Sequence, residues 1–467
     1  MCGIFGAVAQ KPRKELVDLI YLGLLHVQHR GQDSAGIAYS DRTRVRVEKG
    51  MGLVSHVFHQ ELREKIRADE PLMLTGHVHY STSGKSSIVN TQPYWLDALE
   101  GRQALCSDGG VPNLREQRAS LEKNGVEFYT ENDAEFLLKK INFLAHKEER
   151  NVWKGIAEMM RTTPATYSAA LLVRDRLFLF RDPWGNRPLF LGKKEDFTVF
   201  ASETCALDKI GARVLRSIKP GEIATLYPSG EIESQQIISY PRRAHCVFEL
   251  IYFARPDSVV FGGEVGTFRY HLGKRLAHEH SVKADFVAAV PDSGNFAGAG
   301  FAKEIGIPFR ILLVRNPYIL RTFIMPSQEE RSYLAEIKYS VMRAAFKKRK
   351  RLVLVDDSIV RGTTNRALIK MIREAGAEEI HLRISCPPII GPCHYGIHTP
   401  KYEELVANKI TRAGKPDIQG IADFLGVDSL GYLSLDGLKK TICEMHKTVD
   451  HFCLACFDRN YKVRAGF

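Results

Sequence analysis

The sequence predicts two domains of different class: an α+β domain over residues 2–238, followed by an α/β doubly wound domain over 239–467. Two observations carry this. In the first half, strand-like runs with turn punctuation (GIFGAVA, GIAYS, RVRVEKG, YSAALLVRDRLFLFRDPWG, FTVFAS) are interrupted by helical stretches around 14–28 and 133–146. Beyond about residue 240 the texture changes to short continuous apolar runs alternating with helical patterns, which reads as a parallel sheet covered on both faces. ADFVAAVPDSG, FRILLVRN, RLVLVDDS and EIHLRISCPP are the strands, and GAGFAKEIG and TNRALIKMIREAG the helices between them. The change falls near 235–245, where SYPRRAH breaks the pattern. The tail after about residue 440 is expected to fold back on the body.

A chain of 467 residues exceeds what one hydrophobic core usually serves. With 44% hydrophobic and 26% charged residues the composition is that of a globular enzyme. No apolar run reaches membrane-spanning length, and the N-terminal order of apolar then basic residues is wrong for a signal peptide. A cytoplasmic location is expected, with no membrane partner. The net charge of +12 suits polyphosphate substrates. No zinc-finger, basic-helix or RNA-binding pattern accompanies it, so no nucleic-acid partner is expected. The densest basic run, KKRKR at 347–351, reads as a solvated turn before a strand. Nine cysteines, an odd number in a reducing compartment, are left to catalysis, metal binding or packing.

RLVLVDDSIVRGTT at 351–364 is the most informative stretch. A hydrophobic strand delivers Asp356 and Asp357, then the small polar loop Ser358, Val360, Arg361, Gly362, Thr363 and Thr364 feeds a helix starting near Asn365. Ligands of open α/β sheets sit at the carboxyl ends of strands. A loop of this kind before a helix offers amides and a positive dipole end to phosphate. The two carboxylates suit ribose hydroxyls and Mg²⁺, which prefers oxygen ligands. Asp292, Ser293 and Gly294 in VPDSG end another strand in a small turn, a weak signal taken alone. Arg321 and Lys338, in the charged segment 321–338, are candidates for phosphate contacts or plain surface charges.

The first of these stretches resembles the signature of type I phosphoribosyltransferases, which bind 5-phosphoribosyl 1-pyrophosphate (PRPP). The N-terminus adds a second resemblance. Removal of Met1 would leave Cys2 with a free α-amino group of pKa about 7.7–8.0, able to serve as base for its own thiol. GIFG, QHRGQDSAGI at 28–37, GHVHYSTSG at 76–84, NTQPY at 90–94 and RDPWGNRPL at 181–189 resemble the class II glutamine amidotransferase domain, an N-terminal nucleophile αββα sandwich. Together they resemble the glutamine PRPP amidotransferase family. The resemblance implies that Cys2 attacks glutamine and releases ammonia, that Gly109 lies in the oxyanion hole, and that Asp133 holds the glutamine amino group. It implies that the 290–294 turn is the pyrophosphate loop, that 321–338 closes over PRPP, and that Ser293, Asp356 and Asp357 surround Mg²⁺.

Two positions depart from the family. His79 stands where the family has arginine, and Asp108 where it has the oxyanion-hole asparagine. Neutral histidine lacks the bidentate fork that grips a carboxylate. An ionised aspartate only accepts hydrogen bonds, and one lost oxyanion donor costs about 10²–10³ in rate. A weakened, inactive or redirected glutaminase is therefore expected. That leaves three readings: a glutamine-dependent enzyme, a paralogue using ammonia or another amine, and a PRPP or nucleotide-binding regulatory protein.

CLAC at 453–456 is a C-x-x-C pair. With Cys246 and Cys393 it gives four thiolates, Cys246, Cys393, Cys453 and Cys456, a set that spacing alone allows for Zn²⁺ or a [4Fe–4S] cluster. The resemblance implies the cluster, in a structural role. Cys106, Cys205, Cys386 and Cys443 read as buried packing residues. The resemblance further implies inhibition by purine nucleotides and a homotetramer or homodimer.

Overall fold

A computed structural model describes residues 2–80, 87–98, 100–319, 337–347, 350–397, 399 and 401–463. In the first half two antiparallel sheets lie face to face. The seven-stranded sheet runs Arg213–Ser217, Phe190–Lys194, Phe197–Ala201, Gly3–Val8, Met73–His79, Ser34–Ser40, Val45–Met51. The six-stranded sheet runs Ile232–Gln236, Glu222–Leu226, Leu177–Arg181, Thr166–Leu172, Gly101–Gly110, Tyr94–Ala98.

Three apolar layers hold the four-layer αββα stack together. Ile4, Val8, Cys106, Ala170, Leu179 and Phe200 fill the space between the sheets. The helix Glu15–His26 buries Leu16, Ile20 and Leu24 against Phe5 and Leu74 on the outer face of the seven-stranded sheet. The helices Asp133–Lys147 and Val152–Thr162 bury Leu137, Ile141 and Ile156 against Tyr167 and Phe180 of the other sheet. Because both sheets are buried on both faces, their central strands read as nearly continuous apolar runs rather than as alternating ones.

The second half is built on four parallel strands in the order Phe286–Ala289, Arg351–Asp356, Glu379–Ile384, Ser429–Tyr432. Helices Val265–Glu279, Asn295–Ile305, Thr363–Glu374, Ile418–Leu425 and Leu435–His446 accompany them. The expected strand FRILLVRN is only partly one. Phe309 makes a single parallel bridge to Val287, and Leu313–Arg315 pairs antiparallel with Tyr339–Val341 outside the parallel sheet. Ile311 is correspondingly 70% exposed, so this segment is not the buried edge its apolar run suggested. Cys443 is also exposed rather than buried, on the outer face of Leu435–His446. The tail folds back as expected: Phe452–Cys453 pairs in parallel with His245–Cys246. No described helix is long and apolar enough to cross a membrane.

The halves meet where backbone touches backbone. Gly396 has φ +93°, and a Cβ there would stand 2.0 Å from the carbonyl oxygen of Gly109. A Cβ on Gly109 would in turn stand 2.0 Å from the carbonyl oxygen of Thr166. The loop carrying Cys393 therefore seats directly on the strand carrying Asp108. Gly396→Ala must displace that seat, since the contact atom is backbone and not a flexible side chain. The expected cost is about 1–3 kcal/mol, read as a lower denaturant midpoint at unchanged m-value.

Candidate functional site

Cys2 precedes the strand Gly3–Val8, whose antiparallel partner Met73–His79 pairs Val78 with Gly3. Strand alternation places His77 and His79 on one face. His79 Nδ1 lies 3.5 Å from Cys2 Sγ. His77 Nε2 lies 3.1 Å from the carbonyl oxygen of Ser107 on the facing sheet. Burial alone would raise the Cys2 thiol, but His77 and His79 outweigh it and hold the thiol well below its usual range.

Beneath the thiol lies a buried ionic cluster around Arg30. Its Nε donates to the carbonyl of Cys2 (2.8 Å) and its two NH groups donate to Glu203 (2.7 Å), Glu249 (2.8 and 2.9 Å) and Asp108 (2.9 Å). Every ionic side chain here is wholly buried. Arg187 adds a second cation, 3.3 Å from Glu249 and 2.8 Å from the Tyr395 carbonyl. His29 Nε2 stands 2.7 Å from Glu203. Burial would raise the Glu203 and Asp108 carboxyls, but His29 and Arg30 at the first, and Arg30 and Arg187 at the second, hold both below the ordinary range.

Asp108 is thereby fully engaged. Oδ1 accepts from the Cys2 nitrogen at 2.9 Å and Oδ2 from Arg30. As a bare acceptor it has no proton to offer an oxyanion. A cavity of about 20 Å³, room for about one water, opens beside Cys2 and is lined by His79, Gln92, Ser107, Gly109 and Asp133 among others. Burial pushes the Asp133 carboxyl up to about 7. Residues 81–84 of GHVHYSTSG lie outside the described residues.

The second constellation lies at the carboxyl end of the parallel sheet. Asp356 ends its strand and Asp357 follows, both buried. Asn365 Nδ2 donates to Asp356 at 2.8 Å, and the Ser293 hydroxyl donates to Asp357 at 2.5 Å. Burial and the neighbouring Asp357 push Asp356 well above the ordinary carboxyl range, and burial raises Asp357 too. The helix Thr363–Glu374 begins immediately after the loop, so its first amides have no intrahelical acceptor. Gly294 starts the facing helix, where a Cβ would stand 2.8 Å from the carbonyls of Val290 and Val355.

One cavity of about 570 Å³ gathers these groups. Asp292, Ser293, Lys338, Asp356, Asp357, Ser358, Val360, Arg361, Gly362, Thr363 and Thr364 all line it. Gly294 does not, and Arg321 lies outside the described residues with most of the 321–338 segment. Arg361 is turned onto Glu404 (2.6 Å). The same cavity reaches Cys246, Cys393, Cys453 and Cys456, and His29 and Tyr80 of the first half. Cys246 and Cys453 are register partners across the parallel pair. Burial pushes Cys246 up to about 11 and Cys453 up to about 12.

Comparison with known proteins identifies the family. Residues 79–209 match the glutamine amidotransferase domain family. The amidophosphoribosyltransferase of Methanothermobacter thermautotrophicus is 41% identical over 462 residues, 98% of this chain and 94% of that protein. The chain belongs to the amidophosphoribosyltransferase family. That of Archaeoglobus fulgidus is also 41% identical, over 99% of this chain and 98% of its own length. A solved glutamine PRPP amidotransferase from B. subtilis, complexed with ADP and GMP, superposes with TM-score 0.87 at 36% identity, covering 100% of this chain and 98% of that one. The fold follows: an αββα amidotransferase sandwich joined to a doubly wound phosphoribosyltransferase sheet.

Several residues of the sites were not singled out from the sequence. Arg315, ion-paired with Asp292, and Arg269, whose buried guanidinium faces Asp357, both line the large cavity. Arg30, Glu203 and Glu249 form the ionic cluster, although Arg30 lies in the quoted QHRGQDSAGI and Glu249 in HCVFELIYFARPDS. His77 was visible as the first histidine of the strand-spaced His-x-His. Removing Arg30 strands buried carboxylates without a counter-charge, so Arg30→Met is expected to lower unfolding free energy by about 3–5 kcal/mol, read by chemical denaturation.

Proposed function

We propose that the chain displaces pyrophosphate from PRPP with ammonia, giving 5-phosphoribosylamine, the opening reaction of purine synthesis. The observation that carries this is the convergence of the Asp356–Thr364 loop and the Asp292–Ser293 turn on one cavity at the carboxyl end of the sheet. In the reaction the ammonia lone pair forms the C1–N bond as the C1–O bond to pyrophosphate breaks. Asp356 and Asp357 hold the ribose hydroxyls. The Ser358–Thr364 loop and the helix N-terminus hold the 5-phosphate, and the Asp292–Gly294 turn holds the pyrophosphate. Arg315 and Lys338 add positive charge to the cavity. The domains divide at 238/239.

Two adjacent buried carboxylates, both pushed up by burial, with the Ser293 hydroxyl beside them, are a hard-oxygen set suited to Mg²⁺. Ser293, Asp356 and Asp357 would hold the ion, which supplies charge neutralisation on the departing pyrophosphate. Among the described residues no three of the four cysteine sulfurs fall within 4.8 Å of one another. A single tetrahedral zinc needs sulfurs about 3.8 Å apart, from Zn–S distances of about 2.3 Å. The wider all-sulfur set fits a [4Fe–4S] cluster. Cys246, Cys393, Cys453 and Cys456 would hold it, tying the tail to the sheet.

In the first half, Cys2 is the nucleophile for glutamine, with Gly109 in the oxyanion hole and Asp133 on the substrate amino group. Asp108 favours a second reading for the amine source. Both its oxygens already accept hydrogen bonds, so it gives no oxyanion donor, and His79 gives no guanidinium fork. Ammonia then comes from solution or another donor, and the first half serves as scaffold. We place the enzyme in the cytoplasm as a homotetramer or homodimer inhibited by purine nucleotides, as the ADP and GMP in the B. subtilis structure suggest for that enzyme.

Anaerobically purified protein should release pyrophosphate from PRPP with ammonium, and Asp357→Asn should lower that turnover by at least about 10²-fold. No release with either amine would overturn the transferase reading in favour of a binding protein. With glutamine, the wild type should be at least about 10²-fold slower than the double variant Asp108→Asn, His79→Arg. Equal glutamine rates would mean that the first half tolerates both substitutions.

A further inference from the structure

Cys2 Sγ and one ring nitrogen each from His77 and His79 lie within 4.8 Å of one another, and all three residues are buried. Among the described residues this is the one trio with that spacing. The proton on His77 is fixed by its partner. Nε2 faces the Ser107 carbonyl, which only accepts, so Nε2 carries the hydrogen. In the neutral ring, the form that binds a metal, Nδ1 then carries the lone pair, and it is buried without a hydrogen-bond partner. An imidazole whose far nitrogen donates to a backbone carbonyl is the orientation that metal-bound histidines adopt. The Sγ to Nδ1 separation at His79 is 3.5 Å. Two ligands on one tetrahedral zinc, at about 2.3 Å for sulfur and about 2.0–2.1 Å for nitrogen, stand about 3.6 Å apart.

We propose that Cys2, His77 and His79 form a mononuclear transition-metal site, matched by its one-sulfur, two-nitrogen donor set to Zn²⁺. Three protein ligands leave a fourth position for water or a small amine, and the cavity beside Cys2 has room for about one such molecule. The site depends on histidine at position 79, where the resembled family has a cationic arginine, which cannot ligate. Metal on Cys2 engages the sulfur lone pair that would otherwise attack an amide, so the loaded site caps the thiol. This inference is independent of the phosphoribosyl chemistry, and its test does not read turnover.

The test uses full-length protein loaded with Zn²⁺ alone, read by metal analysis and zinc X-ray absorption. The expected shell contains one sulfur and at least two imidazole nitrogens, with one tightly bound zinc per chain. His79→Arg and His77→Gln should each weaken binding by at least about 10²-fold. The wild-type spectrum tests the site even if a variant does not fold. A four-sulfur shell would place zinc at the tail cysteines and overturn the site. Absence of bound zinc, or zinc retained unchanged in both variants, would overturn it too and leave Cys2 and His79 as a thiol–imidazole pair.

Discussion

The structure depends on Arg30. One buried guanidinium binds the carbonyl of Cys2, a carboxylate of the facing sheet, the carboxylate of Glu203, and Glu249 of the second half. Charges taken out of water are costly unless each is paired and hydrogen-bonded. Here each carboxylate is answered by a guanidinium, and Arg187 extends the pairing to the Tyr395 carbonyl. The cluster therefore fixes the register of both sheets and the docking of the halves at once. Asp108, read as a lost oxyanion donor, is also a member of this cluster.

That second role changes how the departures from the family pattern fit together. An aspartate at position 108 gives the Cys2 nitrogen an acceptor and gives Arg30 a further anion. At position 79 a histidine ring stands beside the thiol, its Nδ1 3.5 Å from Cys2 Sγ. Both residues thus contact Cys2, one at its nitrogen and the other at its sulfur. In the phosphoribosyl half the paired carboxylates, the small loop and the helix N-terminus converge on one cavity.

The large cavity also explains why the tail matters. Its wall includes the four cysteines, the phosphate loop, and His29 and Tyr80 of the first half. Cys393 lies on the loop that seats Gly396 on Gly109, next to the strand that carries Asp108.

The sequence by itself determined the two fold classes and the family, and it singled out Cys2, the 356–364 loop and four cysteines as candidates. Each is local: a strand that delivers Asp356 and Asp357 into a loop, or a C-x-x-C pair, is legible from neighbours along the chain. It also exposed the odd residues at 79 and 108. It misjudged FRILLVRN, because an apolar run does not reveal that its residues pair outside the main sheet. Tertiary structure alone decided what Asp108 does, because its partners lie 106 and 78 positions away. It alone made a trio of Cys2, His77 and His79, since strand pairing sets which face of one strand meets the end of another. Long-range charge pairing and cross-strand proximity have no signature in a linear pattern, and the contacts of Asp108 and His79 rest on them.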